Sequence, residues 1–168
     1  MKNVILGIVI VILTVVLVQV AIANPSEEDK FVTNKFCLAQ NIYFESGNQP
    51  LAGRVAVAQV TINRVEDKQF PNSICGVVYQ AKIGTNWRGE LYPIRNKCQF
   101  SWFCDGKSDT PTDSKTWIEA VRLAGRVMNN YYPDITEGAL WYHADSVNPY
   151  WSEQLNRTVT IDNHLFYN

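Results

Sequence analysis

Four cysteines set behind an apolar leader constrain this chain more than any other feature. Met1-Lys2-Asn3 opens onto an apolar run from Val4 to Val18, and Gln19 then precedes Val20-Ala21-Ile22-Ala23. One basic residue, an apolar stretch and an Ala21-x-Ala23 ending form the layout of a secretory signal, because a signal peptidase pocket admits small side chains. Left uncleaved, the stretch from Val4 to Ala23 is long enough to span a bilayer as a signal anchor. In both cases the rest of the chain is exported, to a periplasm, cell envelope or extracellular space. The expected division is 1–23 as signal peptide or anchor, 24–35 as a polar leader and 36–168 as one folded domain.

Export makes the thiols informative. Cys37, Cys75, Cys98 and Cys104 are an even set in an oxidising compartment, where three pairings are open to them. A bridge between Cys98 and Cys104 would staple the short insert Gln99-Phe100-Ser101-Trp102-Phe103. Cys37 with Cys75 would then close a longer loop, worth on the order of 3 kcal/mol through chain entropy. Zinc is the competing use of such residues. The cysteines lack C-x-x-C spacing and the chain has only 2 histidines, so no metal site is expected.

At 168 residues and 46% hydrophobic the chain can bury one core, and 12% aromatic residues against 18% charged exclude disorder. A net charge of −1 speaks against binding by neutralisation of nucleic-acid phosphates or of anionic lipid. Phe31, Leu38 and Ile42 predict a helix from Lys30 that stops at Gly47-Asn48-Gln49-Pro50. Leu51, Val55, Ala58, Ile62 and Val65 form the stripe of a second helix, ended by Phe70-Pro71-Asn72. Ala81 to Asp109 shows no period and reads as a loop-rich lobe. A third helix begins near Thr116 with the capping box Thr116-x-x-Glu119, carries Trp117, Val121, Ala124 and Met128, and stops before Tyr132-Pro133. Ala139–His143 and Val159–Ile161 look like strands joined around Asn148-Pro149. Helices first and a small antiparallel hairpin last make an α+β domain.

Glu45 stands out among the acids. It closes the first helix within Ile42-Tyr43-Phe44-Glu45-Ser46-Gly47-Asn48, at the negative end of the helix dipole and beside aromatic rings. Both surroundings disfavour the charged form and raise the pKa, as a general acid requires. The plainer alternative is a solvated helix-end glutamate, because an isolated dipole effect is only about 0.3–1 kcal/mol.

The segment Asn41-Ile42-Tyr43-Phe44-Glu45-Ser46-Gly47-Asn48-Gln49, followed by Gly53-x-Val55-Ala56-Val57-Ala58-x-Val60-x-Ile62-Asn63-Arg64-Val65, resembles the cell-wall hydrolases of SleB and CwlJ type. Phe70-Pro71, Gly76-Val77-Val78-Tyr79, Cys98-Gln99-Phe100-Ser101-Trp102 and Cys104-Asp105-Gly106-Lys107 match in order. Trp141-Tyr142-His143, Pro149-x-Trp151 and Asn163-His164-x-Phe166-Tyr167 complete the match, which runs from Phe36 to Tyr167. The resemblance implies a lysozyme-like, lytic-transglycosylase-related catalytic domain over 36–168, with its catalytic glutamate at Glu45. It also implies peptidoglycan glycan strands as substrate and cleavage of the β-1,4 bond between N-acetylmuramic acid and N-acetylglucosamine. A hydrolase usually needs a second carboxylate. A lytic transglycosylase manages with one, because the muramoyl C6 hydroxyl attacks within the same chain. Asp105, Asp145 and Asp162 sit in turn-like contexts, which leaves Glu45 alone and favours the transglycosylase; Asp105 is the strongest of the other acids.

Gln99, Ser101, Trp102, Tyr142 and His143 are the candidates for sugar contact, because sugars present apolar faces with a hydroxyl fringe. Trp102 is expected as an exposed platform in the stapled loop, and Trp117 as core. Asn63, Arg64 and His164 are expected to support the site from behind, with Arg64 anchoring the Glu45 region. No cofactor is implied, a monomer is expected, and membrane contact arises only through an uncleaved leader. No wall-binding domain or repeat accompanies the catalytic region in the sequence. Two rival readings use other residues: a peptidase with Cys37 as nucleophile and His143 as base, and a non-catalytic wall-binding module that has no use for Glu45.

Overall fold

The computed structural model describes residues 25–168, so the expected signal or anchor at 1–23 lies outside them. The chain divides between Thr33 and Asn34, and Asn34–Asn168 form one compact unit. Among the described residues no helix is long and apolar enough to cross a membrane.

Helix α1 spans Glu27–Ser46. It starts before Lys30 because Ser26 and Asp29 cap it reciprocally. The Ser26 hydroxyl accepts from the Asp29 amide at 3.1 Å, and the Asp29 carboxylate accepts from the Ser26 amide at 3.2 Å. Residues 27–29, ahead of the helix expected from Lys30, are therefore helical as well, although they lie in the stretch 24–35 read as a polar leader; the cap and local hydrogen bonds sustain a turn that buries nothing. From Cys37 onward the helix enters the core, burying Leu38, Ala39 and Ile42.

Helix α2, Leu51–Glu66, runs where its stripe predicts and buries Val55, Ala58 and Val60. The short helix α3, Ile74–Val78, is capped by Ser73, whose hydroxyl accepts from the Gly76 amide at 3.1 Å. It brings Cys75 to Cys37, and Cys98 bridges Cys104.

The stretch from Ala81 is not a loop. Strands β1 (Ala81–Thr85) and β2 (Leu91–Cys98) pair antiparallel, and a 3-10 turn follows at Ser101–Cys104. Ile83, Leu91, Tyr92 and Ile94 are exposed, so neither face alternates as a half-buried strand does, and the sequence carries no period-2 signal. Helix α4 spans Ser114–Met128 with Asp113 as its cap, accepting from the Thr116 amide at 2.7 Å. Thr116 is thus inside the helix, and Glu119 turns outward to pair with Arg54 at 2.9 Å.

The C-terminal element is a three-stranded antiparallel sheet rather than a hairpin. Strands β3 (Trp141–Ala144), β4 (Arg157–Ile161) and β5 (His164–Tyr167) lie in the order β3-β5-β4, so the two expected strands never touch. The unforeseen β5 sits between them and buries Phe166 against Ala56, Val60 and Ala139. The α+β class stands. A helical layer of α1, α2 and α4 holds the main core, and α2 also carries the sheet.

Candidate active site

Glu45 lies on the last turn of α1, where the chain turns away at once. A Cβ on Gly47 would collide with the Tyr43 carbonyl, so glycine lets the backbone close over this turn. Facing Glu45 across the core is Tyr142 of β3, whose hydroxyl donates to Oε2 at 3.0 Å. Burial raises the Glu45 pKa above the usual carboxylate range. The Tyr142 hydrogen bond and the Arg64 charge pull it back only partly. Burial also drives the Tyr142 phenol well above its ordinary value, and the neighbouring carboxylate adds to that. The pair is therefore a carboxyl group that releases its proton less readily than a solvated one, beside a hydroxyl that stays protonated.

Arg64, at the end of α2, is 3% exposed. Its Nε donates to the Leu140 carbonyl at 2.7 Å, and its guanidinium lies over the rings of Phe70 and Phe100 at 5.3 and 5.2 Å. Desolvation lowers its pKa to about 10, still leaving a cation at neutral pH, while Glu45 and Tyr142 favour the charge. The Gln99 amide, with its oxygen turned toward Arg64, accepts from both terminal nitrogens at 3.2 Å. Arg64 thereby ties together the strand that carries Tyr142, the loop that carries Gln99 and the carboxylate of Glu45.

Two cavities open on either side of Glu45, and both share Ser101. One of about 270 Å³ is lined by Arg64, Gln99, Phe100, Trp141, Tyr142 and Trp151. The other, of about 320 Å³, is lined by Phe44, Trp102, Asp105, Lys107, Ser108 and Asp109. Glu45 thus lines both parts of a two-part cleft, each of which combines aromatic walls with polar groups. Such a cleft suits an extended, polar, ring-bearing chain with its reacting bond at the carboxyl group. Asp109 is itself raised in pKa by burial and by the nearby Asp105.

Glu45, Gln99, Ser101, Tyr142 and Arg64 come together. Other expected residues do different things. Trp102 is 7% exposed, stacks on Phe44 at 4.8 Å and donates from Nε1 to the Asn41 side chain at 3.1 Å, so it forms a wall and not an exposed platform. The stapled loop folds it inward because its ring completes the aromatic cluster of Tyr79 and Phe103. His143 points to the other face of β3 from Tyr142, as strand alternation requires. Both of its ring nitrogens are engaged, by the Tyr167 hydroxyl and the Ala144 carbonyl at 2.9 Å, so it braces Trp151 and does not line the cleft. Asn63 donates to Asp134, Thr136 and the Ala139 carbonyl, which fixes the approach to β3 and not Glu45 directly. His164 packs edge-on against Tyr142 with its pKa lowered by burial. Trp117 is half-buried, edge-on to Phe36 and Tyr43.

The structure adds residues to which the motifs assign no role. Asn41, fully buried, links Thr61 of α2 to Trp102. Trp141 and Trp151 supply the aromatic wall; both stood in matched motifs, and only their direction was missing. All four cysteines are bridged, so Cys37 offers no thiol to a peptidase and no zinc ligand. Among the described residues no group of three or more His, Cys, Asp and Glu is placed to hold a metal ion.

A half-buried glutamate with a raised pKa, lining two cavities in an α+β domain, is a site of the kind found in carboxylate-dependent enzymes. Residues 48–167 match the family model described as Cell Wall Hydrolase. The chain belongs to that family, although the matched segment begins just after Glu45. It is 28% identical over 131 residues to a spore cortex-lytic enzyme of Bacillus cereus, covering 77% of this chain and 42% of that protein. A shorter stretch of 43 residues is 44% identical to the spore cortex-lytic enzyme of Bacillus subtilis, covering 26% of this chain and 14% of that one. The chain thus spans less than half the length of these relatives. The catalytic domain of Bacillus cereus SleB superposes with a TM-score of 0.59 at 27% identity, over 81% of this chain and 91% of that one. The catalytic domain of the germination-specific lytic transglycosylase SleB from Bacillus anthracis gives 0.60 at 26% identity, over 80% and 93%. The fold is accordingly that of the SleB catalytic domains, a lysozyme-like fold.

Proposed function

We propose that this protein is a peptidoglycan-cleaving enzyme that breaks the β-1,4 bond between N-acetylmuramic acid and N-acetylglucosamine, with Glu45 as its acid and then its base. The observation that carries this reading is the carboxyl of Glu45, its pKa raised by burial, lining both cavities. A glycan strand laid through both cavities puts its bridging oxygen at Glu45. The carboxyl proton passes to that oxygen as the C1–O bond breaks and positive charge develops at C1. The carboxylate left behind then takes the proton of the muramoyl C6 hydroxyl, whose oxygen bonds to C1 and closes a 1,6-anhydro ring. Tyr142, hydrogen-bonded to Oε2, holds the carboxyl in place, and Arg64 stabilises the anion formed between the two proton transfers.

A hydrolytic variant of the same site has one specific observation in its favour: Asp105 and Asp109 line the same cavity as Glu45 and could activate a water. The relative from Bacillus anthracis is named a lytic transglycosylase, which weighs toward the first outcome. Mass spectrometry of the muropeptides released from purified peptidoglycan separates them. Anhydromuramic ends are expected, reducing muramic ends would assign the hydrolytic variant, and free stem peptides would overturn both. Export, with the signal cleaved after Ala23 or kept as an anchor, is the setting such a substrate requires.

A further inference from the structure

A groove of about 260 Å³ lies between α2 and α4. Leu51, Arg54, Glu119, Arg122, Leu123 and Arg126 line it, and none of them lines the Glu45 cavities. Three guanidinium groups share this space with one carboxylate, in a chain whose net charge is −1. Glu119 is committed to Arg54, which it meets at 2.9 Å, so Arg122 and Arg126 carry no carboxylate partner there. They stand one turn apart on α4, where like charges repel. Lys115 stands on the same face two turns before Arg122, with Glu119 between them turned to Arg54. Arg54 itself is mostly covered, its side chain 17% exposed, and its Nε is buried with no hydrogen-bond partner. A buried donor without an acceptor is costly, so the Arg54 side chain beside this groove is not fully satisfied by its pairing with Glu119.

We propose that this groove is a phosphate-binding site, taking a phosphate or phosphodiester group between Arg54, Arg122 and Arg126. Guanidinium forks match phosphate oxygens in pairs, and three of them around one cavity suit a tetrahedral group better than a planar carboxylate, which has only two oxygens to offer. Leu51 and Leu123 give the apolar floor on which a short polyol or glycerol spacer rests. The ligand class is an anionic phosphate ester presented near the enzyme's substrate, either in a soluble phosphodiester polymer or in a lipid headgroup. The proposal does not depend on the chemistry at Glu45.

Fluorescence anisotropy with a labelled oligo(glycerol phosphate), on the full chain at low salt, is the test. Arg122→Gln with Arg126→Gln should weaken binding by about tenfold or more, while the Lys pair at the same positions, keeping charge without the fork, should lose less. Binding by the wild type should fall steeply with added salt, and inorganic phosphate should compete. The Gln pair should still release muropeptides from polymer-free glycan strands at the wild-type rate. Wild-type and Gln-pair proteins are also compared on phosphatidylglycerol and phosphatidylcholine vesicles, so that any leader contribution cancels. A difference between the two proteins confined to the oligomer assigns the polymer, and one confined to phosphatidylglycerol assigns the headgroup. Equal binding by wild type and both variants on every probe, or no binding by the wild type, would overturn the proposal.

Discussion

Glu45 works against its own stability. In the folded chain its carboxyl group keeps a proton that an unfolded chain would already have released. Its folded pKa lies above the unfolded one, so the folded state binds the extra proton only in the window between them. Stability must therefore fall as pH rises through that window. Glu45→Gln removes the effect. Denaturant midpoints of wild type and variant, compared from about pH 4 upward, should diverge in the variant's favour as the wild-type carboxyl ionises. A gap that does not change with pH would contradict the buried-acid account. Tyr142→Phe tests the same group from its partner's side. The Tyr142 hydroxyl lowers the Glu45 pKa, so its loss should carry the alkaline limb of the activity profile to higher pH while the variant remains folded. An unmoved or lowered limb would show that Tyr142 does not hold the acid. The position of Glu45 on the last turn of its helix and the upward direction of its pKa were legible in the sequence. The inward turn of Trp102 and the outward turn of His143 were not, because direction depends on strand register and on which rings fill the core.

Among the elements, the end of α2 governs the site more than the loops that surround it. Asn63 and Arg64 grip successive carbonyls, Ala139 and Leu140, and so place β3 and with it Tyr142. Arg64→Met should cost about 2–4 kcal/mol in denaturant unfolding, since it strands a buried carbonyl and removes the charge facing Glu45. It should also raise the Glu45 pKa, because the Arg64 cation lowers it. A loss below about 1 kcal/mol would mean that the guanidinium is not the tie described. The stripes of α2 and α4 could be read from spacing alone, since each buries one continuous face. The β1–β2 hairpin buries no face, and β5 is a four-residue strand flanked by a turn at Asp162, where φ is +51°. Patterns that short carry no usable period. The cap of α4 was misplaced for a related reason: Asp113 and Thr116 are both competent caps, and only the chain's direction before Ser114 selects between them.

At the scale of the molecule, two bridges fasten the parts that frame the cleft. The Cys37–Cys75 bridge closes a span of 38 residues that contains Glu45 and all of α2. Replacing both cysteines with Ala should cost about 3–4 kcal/mol through the freed unfolded chain. Calorimetry or denaturant unfolding would register it, and an unchanged midpoint would show that packing alone fixes α1 against α3. The architecture follows from this layout: a helix supplies the acid, the short edge strand β3 supplies its hydroxyl partner, and the stapled turn closes the cleft between them. The measurement that goes most directly to the central claim is muropeptide release from purified peptidoglycan by Glu45→Gln, paired with sedimentation of the variant on intact sacculi. The account predicts binding like the wild type and no released fragments. Fragment release at the wild-type rate would place the chemistry elsewhere in the molecule.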